Sequence, residues 1–167
     1  AGENQNIIDL FRTFRDEGKA GVRIYAMLSG SDAGLLARHF ASGPQSDKWV
    51  SVRSIKLYGD GALGSRGAWL LEDYSDRAGH RGQPNMVIDS VLTISRKALK
   101  TGFQVNTHAI GDRANREVLD RCEIAFRENP EAAKDARFRI EHAQHLHPDD
   151  IGRFGKDRKS TTSELQS

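Results

Sequence analysis

The sequence predicts an α/β domain in which parallel strands are joined by helical crossovers. Apolar spacing along the chain switches repeatedly between the helical and the strand period, giving the order αβαβ(loop)αβαβα. Gly, Pro and capping residues fall at the switches. At 167 residues the chain has room for one core of ordinary size. Connections between such parallel strands are right-handed by the usual rule.

Taking the elements in order, residues 3–18 place Ile7, Phe11 and Phe14 at helical spacing among charges, and Gly18 and Gly21 punctuate. Residues 22–28 alternate Val22, Ile24, Ala26, Leu28 as a strand does. A short helix is expected over 32–41, with Ser31 as its cap and Gly43-Pro44 as its stop. The next strand is Val50–Tyr58, whose alternation slips at Arg53. A glycine-rich loop covers 59–84, with at most a turn of helix at 69–72; loops this long are uncommon without a function. Residues 86–100 form a helix through Val87, Val91, Ile94 and Ala98, ended by Gly102. Residues 103–107 read as a strand, Asp112 caps a helix to Glu128 with Pro130 beyond it, 137–141 read as a strand, and Pro148 starts a last helix. The domain is expected over 1–154. Residues 155–167 lack apolar periodicity and are expected to be a disordered tail.

Composition removes several classes of function. Lys+Arg at 25 against Asp+Glu at 23 leaves a net charge of +2 with both signs interspersed, which argues against a nucleic-acid partner. No apolar run nears the roughly 18 residues of a membrane span, and no signal-peptide pattern opens the chain. Neither a membrane partner nor a secretory route is expected, and the cytoplasm is the expected location. The single cysteine, Cys122, excludes an internal disulfide framework.

In parallel α/β architectures reactive groups collect where strands end. Lys56 lies near the end of the second strand, and His108 and His142 close or follow the next two. One strand-end histidine reads as a packing residue. Two at matching levels of neighbouring strands ~4.8 Å apart can converge on one ion. Lys56 alone reads as a snorkelling lysine. His39, His80, His145 and His147 are read as structural. The loop opens with Gly59-Asp60-Gly61-Ala62-Leu63-Gly64, a literal G-x-G-x-x-G. The long helix and distant acid that a dinucleotide site requires do not follow it. Its amides are left with two readings, an anion-binding concavity for a substrate carboxylate or a sharp turn with no ligand. Tyr58, Asp60 and Arg66, in or beside this loop, are candidates to overhang a pocket and equally candidates for structural duty.

Ile55-Lys56-Leu57-Tyr58-Gly59-Asp60-Gly61-Ala62-Leu63-Gly64-Ser65-Arg66-Gly67-Ala68 resembles the central signature of the family-3 amidohydrolases, metal-dependent hydrolases similar to N-substituted formamide deformylase and the YtcJ-like proteins. Asn106-Thr107-His108-Ala109-Ile110-Gly111-Asp112-Arg113-Ala114 and Arg139-Ile140-Glu141-His142-Ala143-Gln144 resemble its next two signatures in the same order, and the likeness runs over residues 7–154. The resemblance implies part of a (β/α)₈ barrel, with this chain supplying about four parallel strands, the third to the sixth. It implies a lysine carboxylated by CO₂ at Lys56 and metal-ligating histidines at His108 and His142. The cofactor would be one or two divalent ions, zinc the first expectation, though N/O ligands also suit other first-row metals. The substrate class is a small molecule whose amide, formamide or N-acyl C–N bond is hydrolysed.

The family's H-x-H pair of the first strand does not occur before Lys56, and its aspartate of the eighth strand is absent, so no catalytic acid–base residue is assigned. The likeness stops after Phe154, where Lys156-Asp157-Arg158-Lys159-Ser160 follows. A fragment, a truncation or a shifted reading frame is the simplest account, since a full barrel takes about 250 residues. A chain of this kind is expected to be incomplete as a catalyst and to self-associate through exposed sheet edges. The alternative is a non-catalytic α/β remnant or assembly module whose strand-end residues are relics.

Overall fold

The structure, a computed structural model, describes residues 2–154. The expected tail lies outside the described residues. Helix α1 (Gln5–Asp16) is capped by Asn4, whose side chain accepts from the Ile7 amide at 3.1 Å, and Ile8 on its inner face is fully buried. Strand β1 (Ile24–Ser29) follows, then α2 (Ala33–Ser42). The cap of α2 is Asp32 and not Ser31: the Asp32 carboxylate accepts from Leu35 N at 2.8 Å, while the Ser31 hydroxyl pairs with that of Ser29. Two residues, β2 (Gln45–Ser46), precede the nine-residue β3 (Val50–Tyr58). After the long loop come α3 (Asp89–Thr101), β4 (Gln104–Ala109), α4 (Asp112–Glu128), the single turn α5 (Pro130–Ala133), β5 (Arg139–His142) and α6 (Pro148–Ile151), extended by a 3₁₀ turn at Gly152–Phe154.

The sheet runs β1-β3-β4-β5, all parallel, with β2 antiparallel against the start of β3. One face is apolar. Ala26, Leu28, Val52, Ile55, Leu57, Val105 and Ile140 are buried in a core that also takes Leu35, Val91, Ala98, Val118 and Cys122 from the helices. Burial pushes the Cys122 thiol up to about 12, so it serves as an apolar packing group. The other face is polar along its upper half, where Lys56 pairs with Asn106 and Asn106 with Arg139, and Tyr58 pairs with His108 and His108 with Glu141.

The slip at Arg53 is a β-bulge. Ala26 pairs with Val52 and Met27 with Ser54, so Arg53 has no partner on β1. Before the bulge the even residues Val50 and Val52 face the core; after it the odd residues Ile55 and Leu57 do. That change of parity sends Lys56 to the polar face. Deleting Arg53 makes the strand regular and preserves every facing. It is expected to cost no more than about 1–2 kcal/mol, because the buried Arg53 Nε makes no hydrogen bond to lose. Urea denaturation of the deletion variant checks this.

Several boundaries differ from the sequence expectation for identifiable reasons. Residues 69–72 form no helix because their amides are taken by distant acceptors. Trp69 N donates to Asp60, Leu70 N to Arg81 O and Leu71 N to Asp112. Helix α3 starts at Asp89 rather than 86, because Asn85 N is drawn to the Gly59 carbonyl. Strand β4 continues to Ala109 because β5 pairs with it there. Arg137, at φ 49°, delays β5 to Arg139. Asp112 does not cap α4. Gly111 holds that position, and Asp112 in the first turn accepts from Leu71 N and Arg113 N. The sequence marked neither β2 nor α5, since two and four residues are too short to show a period.

Candidate metal centre

The upper end of the polar face is built by β3, β4, β5 and the loop of residues 59–88. Gly59 N donates to His108 O at 2.7 Å, closing the loop onto β4 as it leaves β3. Asp60 then turns inward. Its fully buried carboxylate accepts from Trp69 N (2.8 Å), Ile110 N (2.9 Å) and Gly111 N (2.8 Å), stapling the loop to the β4–α4 junction. Gly111 is obligatory here, since a Cβ would stand 2.0 Å from the Trp69 carbonyl oxygen. Farther out, Arg66 clasps Asp76 at 2.6 Å, Arg81 clasps Asp73 at 2.7 Å, and the Tyr74 hydroxyl donates to Ala68 O.

Lys56, His108 and His142 meet at this end. The Lys56 ammonium stands 4.7 Å from the centre of the Tyr58 ring, that ring lies 5.9 Å from His108, and the His108 and His142 rings are 4.6 Å apart at 72°. The histidines are not at matching levels, as the sequence suggested. His108 pairs with Glu141, and His142 is one residue farther on, opposite Ala109. Strict alternation would turn His142 toward the helices with Ala109. Instead His142 and Ala143 take φ of 78° and 45°, a left-handed turn that brings the imidazole alongside His108. Backbone held in this region is stored strain of the kind that clusters at functional sites. His142→Gly is expected to raise stability by about 1 kcal/mol while removing the imidazole, and thermal unfolding checks it.

Electrostatics favour the neutral forms. Burial, opposed by Glu141 and aided by Arg139, lowers the Lys56 pKa to about 8. Burial, then the neighbouring His142, and more weakly Lys56, hold His108 below the ordinary histidine value, with Asp60 opposing. A His108 imidazole kept from charging, the His142 ring beside it and an amine that can lose its proton suit a cation as donors. Among the described residues no three His, Cys, Asp or Glu side chains group as metal ligands, so any site here needs Lys56 in a ligating form or further donors.

The remaining candidates sort differently. Tyr58 stands half exposed at the rim beside Lys56. Asp60 lies beneath the loop and overhangs nothing. Arg66, at φ 55°, is engaged with Asp76 on the surface. Of the G-x-G-x-x-G amides, those of Gly59 and Gly61 donate to the His108 and Gly67 carbonyls and so are engaged within the fold. His39 is buried with Nε2 against Gln5, His80 Nε2 meets Arg66 O, and His147 caps α6. His145 is largely exposed, with Asp112 3.8 Å away. The staple made by Asp60 was invisible to periodicity, because its partners lie 9, 50 and 51 residues away.

A family model described as the amidohydrolase family matches residues 2–160. The chain belongs to the amidohydrolase family. Among curated proteins it is 38% identical over 122 residues to Protein LONG AFTER FAR-RED 3 of Arabidopsis thaliana, covering 73% of this chain and 21% of that protein. It is also 38% identical over 82 residues to the putative amidohydrolase YtcJ of Bacillus subtilis, covering 49% and 15% respectively. Two crystal structures of uncharacterised metal-dependent hydrolases resemble it. The one from Pyrococcus horikoshii OT3 has a TM-score of 0.77 at 28% identity, over 91% of this chain and 29% of that one. The one from Pyrococcus furiosus has 0.79 at 27%, over 95% and 32%. This amidohydrolase chain thus spans about a fifth or less of the length of these curated relatives and about three tenths of the two solved chains. Its four-stranded parallel sheet matches part of the barrel-type fold of the family's structures, as the sequence led one to expect.

Proposed function

We propose that this chain is part of a metal-dependent amidohydrolase that hydrolyses a C–N bond of a small amide, formamide or N-acyl substrate, and that it holds only part of the metal site. The observation that carries the reading is the convergence of Lys56, Tyr58, His108 and His142 at one end of a parallel sheet. His108 and His142 would be the imidazole ligands. Lys56 would be the third after its neutral amine adds CO₂, forming an N–C bond and releasing a proton. With a pKa of about 8, roughly a tenth of Lys56 is neutral at pH 7, against less than about a thousandth for an ordinary lysine. Carboxylation exchanges a cation that repels metal for an anionic oxygen donor. A divalent ion bound there, zinc by first preference, supplies acidification of a water and polarisation of the scissile carbonyl. Tyr58, half exposed beside Lys56, would meet substrate.

Metal analysis after equilibration with zinc and bicarbonate tests the reading. His108→Ala and His142→Ala are each expected to lower bound zinc at least tenfold relative to the parent, with amidase turnover absent or very weak throughout. Equal metal content in all three proteins overturns the ligand assignment, and robust turnover by the parent overturns the incomplete-site reading. A second reading, an assembly module without turnover, is favoured by the lack of a three-residue His, Cys, Asp or Glu group among the described residues. It predicts no zinc retention at all.

A further inference from the structure

Asp60 and His108 have a relation that the metal reading does not require. Three hydrogen bonds occupy the Asp60 carboxylate: Trp69 N and Gly111 N on Oδ2, and Ile110 N on Oδ1. A carboxylate has about four acceptor sites. One stays open on Oδ1, and His108 Nε2 faces it at 3.5 Å. That nitrogen has no accessible surface and no hydrogen-bond partner. The exposure left to the His108 side chain, 15%, therefore belongs to its other atoms.

A buried lone pair aimed at a buried anion is repelled, whereas an N–H in the same place is attracted. A small tilt of the ring closes 3.5 Å to an ordinary charge-assisted bond. We infer that Asp60 is a positioning residue for His108: it fixes the Nε2–H tautomer and leaves Nδ1 as the nitrogen that takes the metal. The inference rests on the metal reading above for its second half only. An imidazole held by a carboxylate on its far nitrogen is both oriented and made a stronger donor. The same three amides that fold the loop onto β4 thereby set the angle of a ligand.

Nitrogen-15 NMR of the full 167-residue chain, labelled at histidine, decides this. The His108 signals are assigned by their loss in His108→Gln. Without metal at pH 8, two-bond proton–nitrogen correlations are expected to show His108 protonated on Nε2. On titration with zinc chloride and bicarbonate the Nδ1 resonance is expected to move while Nε2 keeps its proton. Asp60→Asn, which keeps an oxygen for the amides, is expected to give mixed tautomers and zinc affinity 10–100-fold weaker. An Nδ1–H tautomer in the metal-free parent, or zinc on Nε2, overturns the inference, and both are read in the parent even if the variant does not fold. Zinc that leaves His108 unchanged while Nε2–H is seen overturns the metal reading and supports the positioning role.

Discussion

Asp60→Ala is expected to destabilise the domain by about 4–6 kcal/mol, enough to unfold a chain of this size at room temperature. The substitution strands three amides at once, those of Trp69, Ile110 and Gly111, where no water reaches the carboxylate they now share. A buried donor left without its acceptor costs about 1–3 kcal/mol, more where the acceptor is charged. Asp60→Asn should lose less, since its amide oxygen can still accept. Urea denaturation followed by circular dichroism measures both. A loss below about 1 kcal/mol for the alanine variant means that the loop is held by something other than this carboxylate.

The second large effect has the opposite sign. Lys56 is 6% exposed, its strongest charged neighbours are Glu141 and Arg139, and its pKa is lowered from 10.5 to about 8. Below pH 8 the amine is charged in both the folded and the unfolded chain, and the burial penalty is present in full, about 3 kcal/mol for a shift of this size. Between pH 8 and 10.5 the folded form gives up its proton while the unfolded form keeps it, so stability climbs as pH rises. Above about pH 11 both forms are neutral and the penalty is gone. Lys56→Met removes the charge and keeps the stem. Allowing about 1 kcal/mol for the lost contact with Tyr58, it is expected to gain about 2 kcal/mol at pH 7 and nothing near pH 11. Denaturation in CO₂-free buffer with chelator, repeated across that range, reads the difference. A variant no more stable than the parent at pH 7 removes the case that burial primes this amine.

Elements with strong periodicity were legible from residues alone. Strand β3 has the limits that were expected, helix α4 ends where expected and starts one residue early, and even the irregularity at Arg53 was visible as a slip before the bulge explained it. What was not legible depends on partners remote in sequence. Trp69 to Glu72 read as a helical turn because nothing local reveals that Asp60, Arg81 and Asp112 collect their amides. Asp60 read as a candidate to overhang a pocket or to serve the structure, and nothing local shows that its carboxylate is sealed inside. Lys56 and the two histidines stood out by their place at strand ends. The one-residue offset between His108 and His142, and the left-handed backbone that offsets it, leave no trace in a pattern of period two.

The inner course of the loop of residues 59–88 is held through main-chain groups, its amides reaching Asp60, Asp112 and the carbonyls of His108, Gly67 and Arg81, while the side-chain pairs Arg66–Asp76 and Arg81–Asp73 clasp its outer turns. Shape and lettering are therefore separable along this segment. Substitutions at its exposed positions outside those clasps can change the surface beside Tyr58 while the path of the chain stays put.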